Sequence, residues 1–68
     1  MRQPAMPLAE REAIADRLRL AIYGKPAMTI AQASKESGVA TDTITRIVRG
    51  AVPSAITAHR LLNLWSKP

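Results

Sequence analysis

The chain's three glycines, Gly24, Gly38 and Gly50, each stand just past a run of apolar residues at helical spacing. A glycine in that position is a helix stop, so the three of them divide the chain into short helical pieces. No stretch alternates apolar and polar residues with period two over enough length to compete as a strand.

The pieces have consistent punctuation. Leu8 to Ile22 repeats apolar residues at Ile14, Leu18, Ala21 and Ile22, with Pro7 suited to a first helical position and Glu10 and Glu12 near the positive end of the helix dipole. Gly24 ends this helix and Pro26 bars its continuation. Thr29 opens a second helix as its cap, and Gln32 three residues later completes a capping box. Ile30, Ala33 and Ser37 share its inner face. Gly38 ends it in an expected left-handed conformation, and Val39 follows as an apolar plug. A third helix starts around Ala40 or Thr41, turns Ile44, Ile47 and Val48 inward, and stops at Gly50. After Val52 and Pro53, Ser54 caps a last helix whose stripe is Ala58, Leu61, Leu62 and Trp65.

Length and composition support helices packed on helices. Sixty-eight residues make a single domain, which at this size hides only about 60% of the surface of its unfolded chain. Without cysteine, disulfide staples, thiolate zinc sites and a cysteine nucleophile are excluded. The apolar content is rich in alanine, and Tyr23 and Trp65 are the only aromatics, a composition for close-packed helices and not sheets. The expected fold is all-α, a compact bundle of four to five helices spanning residues 7–66. Residues 1–6 are expected to be a flexible N-terminal arm, held extended by Pro4 and Pro7, with little that can be buried.

Ten Lys and Arg against five Asp and Glu give a net charge of +5. A surplus of this size, spread along the chain, points to a polyanionic partner, with nucleic acid ahead of a membrane surface. No apolar run approaches the roughly 18 residues needed to span a bilayer. Met1 to Leu8 lacks the apolar region of a secretory signal. The expectation is a soluble, cytoplasmic, nucleoid-associated protein.

The segment Thr29 to Gly50, TIAQASKESGVATDTITRIVRG, combines these features. Two short helices about a turn built on Gly38 must cross steeply, which calls for small residues at the crossing and an apolar residue after the glycine. Ala33, Ser34 and Val39 supply them. The pattern resembles the helix-turn-helix of the lambda-repressor and Cro (XRE-like) family, and the motif is also similar to the LacI headpiece. Arg49-Gly50, then Pro53-Ser54 and a leucine-rich helix, favour the repressor/Cro type. The chain departs from that family's common residues at Ile30, Ser34 and Val48; the turn needs neither the family's glutamine at Ile30 nor its acidic residue at Val48. The resemblance implies a positioning helix at Ile30 to Ser37, a recognition helix at Thr41 to Arg49, double-stranded DNA as partner and transcription regulation as function.

A recognition helix presents its first turn and one further turn to base edges in the major groove, which makes Thr41, Asp42, Thr45 and Arg46 the base-contact candidates. Arg46 can bind guanine O6 and N7 with two hydrogen bonds, Asp42 can accept from cytosine N4, and Thr41 can touch a thymine methyl. Thr29, Thr43 and Arg49, near helix ends, are the phosphate-contact candidates. Lys35 is a weaker one, and Arg2 on the arm has the charge to enter an adjacent groove.

The remaining polar residues form no catalytic constellation. His59 has no second His or Cys for a metal site and no Ser or Asp arrangement beside it. Glu10, Glu12 and Asp16 read as a solvated face, and Trp65 as core closure. Tyr23 is open between core edge and DNA backbone contact. The expected function is a repressor or Cro-like regulator that occludes a promoter, without enzymatic activity, cofactor or metal. It is expected to bind an inverted-repeat operator as a homodimer through the last helix, where Ile56 and Leu64 lie off the main stripe. The rival is a helix-turn-helix protein-interaction module, such as an antitoxin or adaptor.

Overall fold

The computed structural model of the chain describes residues 5–24 and 28–65. Arg2, Pro4, Pro26 and the expected domain end at residue 66 lie outside them. The described residues form four α-helices, α1 (Leu8–Tyr23), α2 (Ile30–Ser37), α3 (Thr41–Val48) and α4 (Ala55–Leu61), followed by a single 3-10 turn (Leu62–Leu64). No strand occurs among them.

Each helix end has a local cause. Pro7 stands one residue outside α1 as its cap, not at the first helical position, and its carbonyl accepts from the Arg11 amide at 3.1 Å. At the other end of α1, the Gly24 amide donates to the Leu20 carbonyl, and the space there admits no Cβ without collision with that same oxygen. The Met28 amide then bonds back to the Ala21 carbonyl at 2.7 Å. At α2 both halves of the expected capping box form: the Thr29 hydroxyl accepts from the Gln32 amide at 3.0 Å, and the Gln32 side chain accepts from the Thr29 amide at 3.1 Å.

Gly38 ends α2 at φ 78° and ψ 14°, the left-handed conformation expected of it. Ser37 sets the direction of the chain beyond it. Its buried hydroxyl donates to the Ala33 carbonyl and accepts from the Val39 amide at 3.2 Å, so the last turn of α2 and the start of the connection share one side chain. Only Gly38, Val39 and Ala40 separate α2 from α3. At the end of α3 the Gly50 amide bonds to the Ile47 carbonyl and the Ala51 amide to the Arg46 carbonyl. These are the two bonds of a Schellman stop. Ser54 caps α4 by accepting from the Thr57 amide.

The core lies where the four helices meet. Ile14, Ala15 and Leu18 of α1, Ala33 of α2, Val39 of the connection, Ile44 and Ile47 of α3, and Ala58 and Leu61 of α4 are buried together. Leu18, Ile44, Ile47 and Leu61 are the largest side chains fully removed from water. Ile22, Ile30, Val48 and Trp65 pack on this core from its edge, and Arg17 stacks on the Trp65 ring with its guanidinium carbon 4.4 Å from the ring centre.

Two further expectations are corrected. Residues 1–6 were expected to bury little, yet Met6 belongs to the core at 9% exposure, and its carbonyl accepts from Arg11 Nε at 3.0 Å. A long unbranched side chain beside the start of α1 can fill the gap at the helix entry, whatever the prolines impose on the backbone. The last helix also does not keep its α-helical stripe. Side chains three apart eclipse in a 3-10 turn, so Leu64 falls beneath Leu61 and packs on the core while Leu62 turns outward. Leu64 is therefore not part of an exposed surface with Ile56.

Candidate nucleic-acid interface

The placement of the candidate site follows from α3. Its buried face is Ile44 and Ile47, so at 3.6 residues per turn its outermost positions are Asp42, Thr45, Arg46 and Arg49, spaced i, i+3, i+4 and i+7. Asp42, Arg46 and Arg49 are exposed, and Thr45 is half-buried. Thr41 is exposed at the edge of this stripe, and Thr43 is half-buried at its opposite edge. All four base-contact candidates thus lie on the outer side of one helix. Arg49, a phosphate candidate, shares their line.

The hydroxyls are less free than the sequence suggests. Thr45 Oγ1 donates to the Thr41 carbonyl at 2.9 Å, which uses its proton within the helix and leaves its lone pairs and methyl for a partner. Thr29 is exposed, but its hydroxyl oxygen accepts the capping bond from Gln32. Asp42 occupies the first turn of α3, where the helix dipole favours a carboxylate and where Ala40, the residue at the cap position, provides no side-chain bond. Lys35 is exposed in the last turn of α2.

Two arginines that contribute to the positive charge turn inward onto backbone carbonyls. Arg19 of α1 donates from Nε to the Ile47 carbonyl at 2.9 Å and from Nη2 to the Ala51 carbonyl at 3.2 Å, while its Nη1 meets Asp16 Oδ1 at 2.7 Å. It therefore holds the C-terminal end of α3, where the dipole favours a cation, and adds a second donor to an Ile47 carbonyl that already accepts from the Gly50 amide. Arg11 similarly joins the chain before α1 to the Pro53 carbonyl, at 3.3 Å, besides its bond to Met6. Sequence reasoning missed both roles. Asp16 three residues before Arg19 is the one local hint, since that spacing places an acid and a base side by side on a helix.

Tyr23 is 71% exposed and takes no part in the core. Among the described residues no group of three or more His, Cys, Asp or Glu could hold a metal ion, and no helix is long and apolar enough to cross a membrane. The chain matches no protein-family model, no curated protein and no solved structure.

Proposed function

We propose that the chain is a helix-turn-helix module that binds double-stranded DNA, with α3 in the major groove, and regulates transcription as a repressor or Cro-like protein by occluding a promoter. The observation that carries this reading is the outer line of α3. A helix with Ile44 and Ile47 sealed in the core exposes an arginine pair, a carboxylate and a threonine on its opposite side, in a chain of net charge +5. Such a set offers donors and acceptors that distinguish base pairs, on a helix fixed at both ends: Arg19 holds its last turn, and Gly38 and Val39 hold its approach.

In this reading α2 is the positioning helix and Arg46 the principal reader, paired with a guanine. Asp42 accepts from a cytosine amino group, and Thr41 and Thr45 bring methyl groups to thymine and acceptor oxygens to amino groups. Arg49, Thr43 and Thr29 hold phosphates and fix the register. No bond is made or broken. Two copies on adjacent half-sites of an inverted repeat supply the affinity that one small module lacks.

Selection of bound duplexes from a random pool, followed by titration of the winner against salt, tests the reading. A shared sequence and a steep linear fall of log affinity with log salt are expected. An unenriched pool and affinity indifferent to salt would refute it and favour a protein-interaction module.

A further inference from the structure

The outward side of α1 is the place where the molecule's surface chemistry is unlike that of a solvated helix. With Ile14, Ala15 and Leu18 facing the core, the outermost line of α1 is Ala9, Ala13, Asp16, Leu20 and Tyr23. Leu20 is 72% exposed and Tyr23 71%, more than any other large apolar side chain described. A helix on the surface of a monomer ordinarily carries charge along this line; one that is apolar on both sides is covered on both sides. Asp16 is the single charge in the line, and Arg19 balances it at 2.7 Å.

The charges flanking the line identify what covers it. On one edge Glu10 precedes Arg17 by seven residues, and on the other Glu12 precedes Arg19 by the same two turns. A copy of the helix laid antiparallel meets this arrangement with its own reversed. Glu10 then faces the partner copy's Arg17 on one edge, while on the other Glu12 lies level with its Arg19, whose guanidinium stays on Asp16, Ile47 and Ala51 of its own chain. The same register sets Leu20 over the small Ala9 and Asp16 beside Ala13, so large side chains meet small ones, and the two Asp16 residues are offset by about 4.5 Å along the axis, each bonded to its own Arg19. Parallel apposition stacks acid near acid, Asp16 on Asp16 and dipole along dipole, and fits poorly. Arg17 is already held against the Trp65 ring, so little of its side-chain freedom remains to be lost on pairing.

We propose that the outer face of α1 is a self-association surface, and that its occupant is α1 of a second copy of this chain, packed antiparallel about a two-fold axis near residues 14 and 15. The proposal deepens the two-fold part of the functional reading and moves the dimer contact from the last helix, where it was expected, to the first. It is measured without DNA, so failure here leaves DNA binding by α3 standing, and failure of DNA binding leaves this surface standing.

Sedimentation equilibrium of the full chain from micromolar to millimolar concentration, in the absence of DNA, tests it. The chain is expected to dimerise. Leu20→Glu should raise the dissociation constant at least about 30-fold, the loss expected at a principal apolar contact, and Tyr23→Ser should raise it as well. Both side chains lie outside the core, so circular dichroism should show unchanged helix content for both variants. Ile56→Glu on α4 should leave the dimer intact. The native chain has no cysteine, so orientation can be read with single introduced thiols and a short bis-maleimide linker. Ala9→Cys mixed with Leu20→Cys should cross-link, and Ala9→Cys alone should not. A native chain that stays monomeric at millimolar concentration, a dimer unaffected by Leu20→Glu, a dimer abolished by Ile56→Glu, or efficient cross-linking of Ala9→Cys to itself would each overturn the proposal.

Discussion

Arg19 Nε on α1 lies 2.9 Å from the Ile47 carbonyl at the end of α3, and a second nitrogen of the same guanidinium reaches Ala51. One planar fork thereby connects the longest helix to a last-turn carbonyl of the helix that carries the candidate site and to the connection just past it, across 28 and 32 residues of sequence. Lysine cannot reproduce this, because its single ammonium lacks the fork.

Removing the fork should therefore loosen the seat of α3. Arg19→Ala is expected to lower stability by about 1 to 2 kcal/mol, the scale of charge-assisted bonds at a partly exposed site, and Arg19→Lys is expected to recover less than half of that. Urea denaturation measures both. In duplex binding the two variants should lose affinity while keeping the native salt slope, since Arg19 is occupied with carbonyls and neutralises no phosphate. A slope reduced by a full unit would mean that Arg19 leaves Ile47 for the DNA.

The turn between α2 and α3 yields a prediction in which crowding plays no part. A Cβ added to Gly38 meets no atom within 4 Å, so the cost of substitution is that of the backbone at φ 78° alone. Gly38→Ala is expected to cost about 1 to 2 kcal/mol, Gly38→Asn less because asparagine tolerates the left-handed region, and Gly38→Val more because its branched Cβ does not. Thermal melts of the three variants should rank Asn above Ala above Val.

The start of α3 has room for improvement. Ala40 takes the cap position without a side-chain bond and is exposed, whereas Thr29 and Ser54 cap α2 and α4. Ala40→Ser should stabilise the protein by about 0.5 to 1 kcal/mol by accepting from an unpartnered amide of the first turn. A rise in the urea midpoint at unchanged slope is the expected result, and no rise would mean that Asp42 already serves those amides.

On α3 itself, three substitutions separate reading from holding. Arg46→Ala should cost about 1 to 3 kcal/mol on the selected duplex and relax preference at one base pair, whereas Arg49→Ala should weaken all duplexes alike and reduce the salt slope by about 1. Asp42→Asn removes a charge that phosphates repel, so random duplexes should bind more tightly and discrimination should fall at one position. Competition titrations against selected and random duplexes measure all three. Identical binding of both duplexes by native and Asp42→Asn protein would turn that side chain away from the groove.

The helices and their stops were legible in the sequence because their causes act within a few residues. Thr29 and Gln32 form their reciprocal bonds across a single turn, Ser54 caps the amide three residues on, and the missing Cβ of Gly38 acts on its own φ. The candidate line on α3 was legible for the same reason, since burying Ile44 and Ile47 fixes by helical period which residues point outward.

What the sequence by itself determined is thus the all-α class, the caps, the left-handed turn and the membership of most of the core. Tertiary structure decided the rest. The sequence assigns Arg11 and Arg19 nothing beyond a share of the positive charge, because nothing nearby along the chain shows that carbonyls of Pro53, Ile47 and Ala51 will stand within their reach. Met6 reads as part of an arm until α1 and its neighbours leave a gap beside it. Leu62 and Leu64 exchange inner and outer places because the chain tightens to three residues per turn after Leu61, a choice made by what the last helix packs against. Local hydrogen bonds and steric limits are written residue by residue. Which distant carbonyl meets which guanidinium, and which leucine finds the core, depends on positions that exist only once the helices have packed.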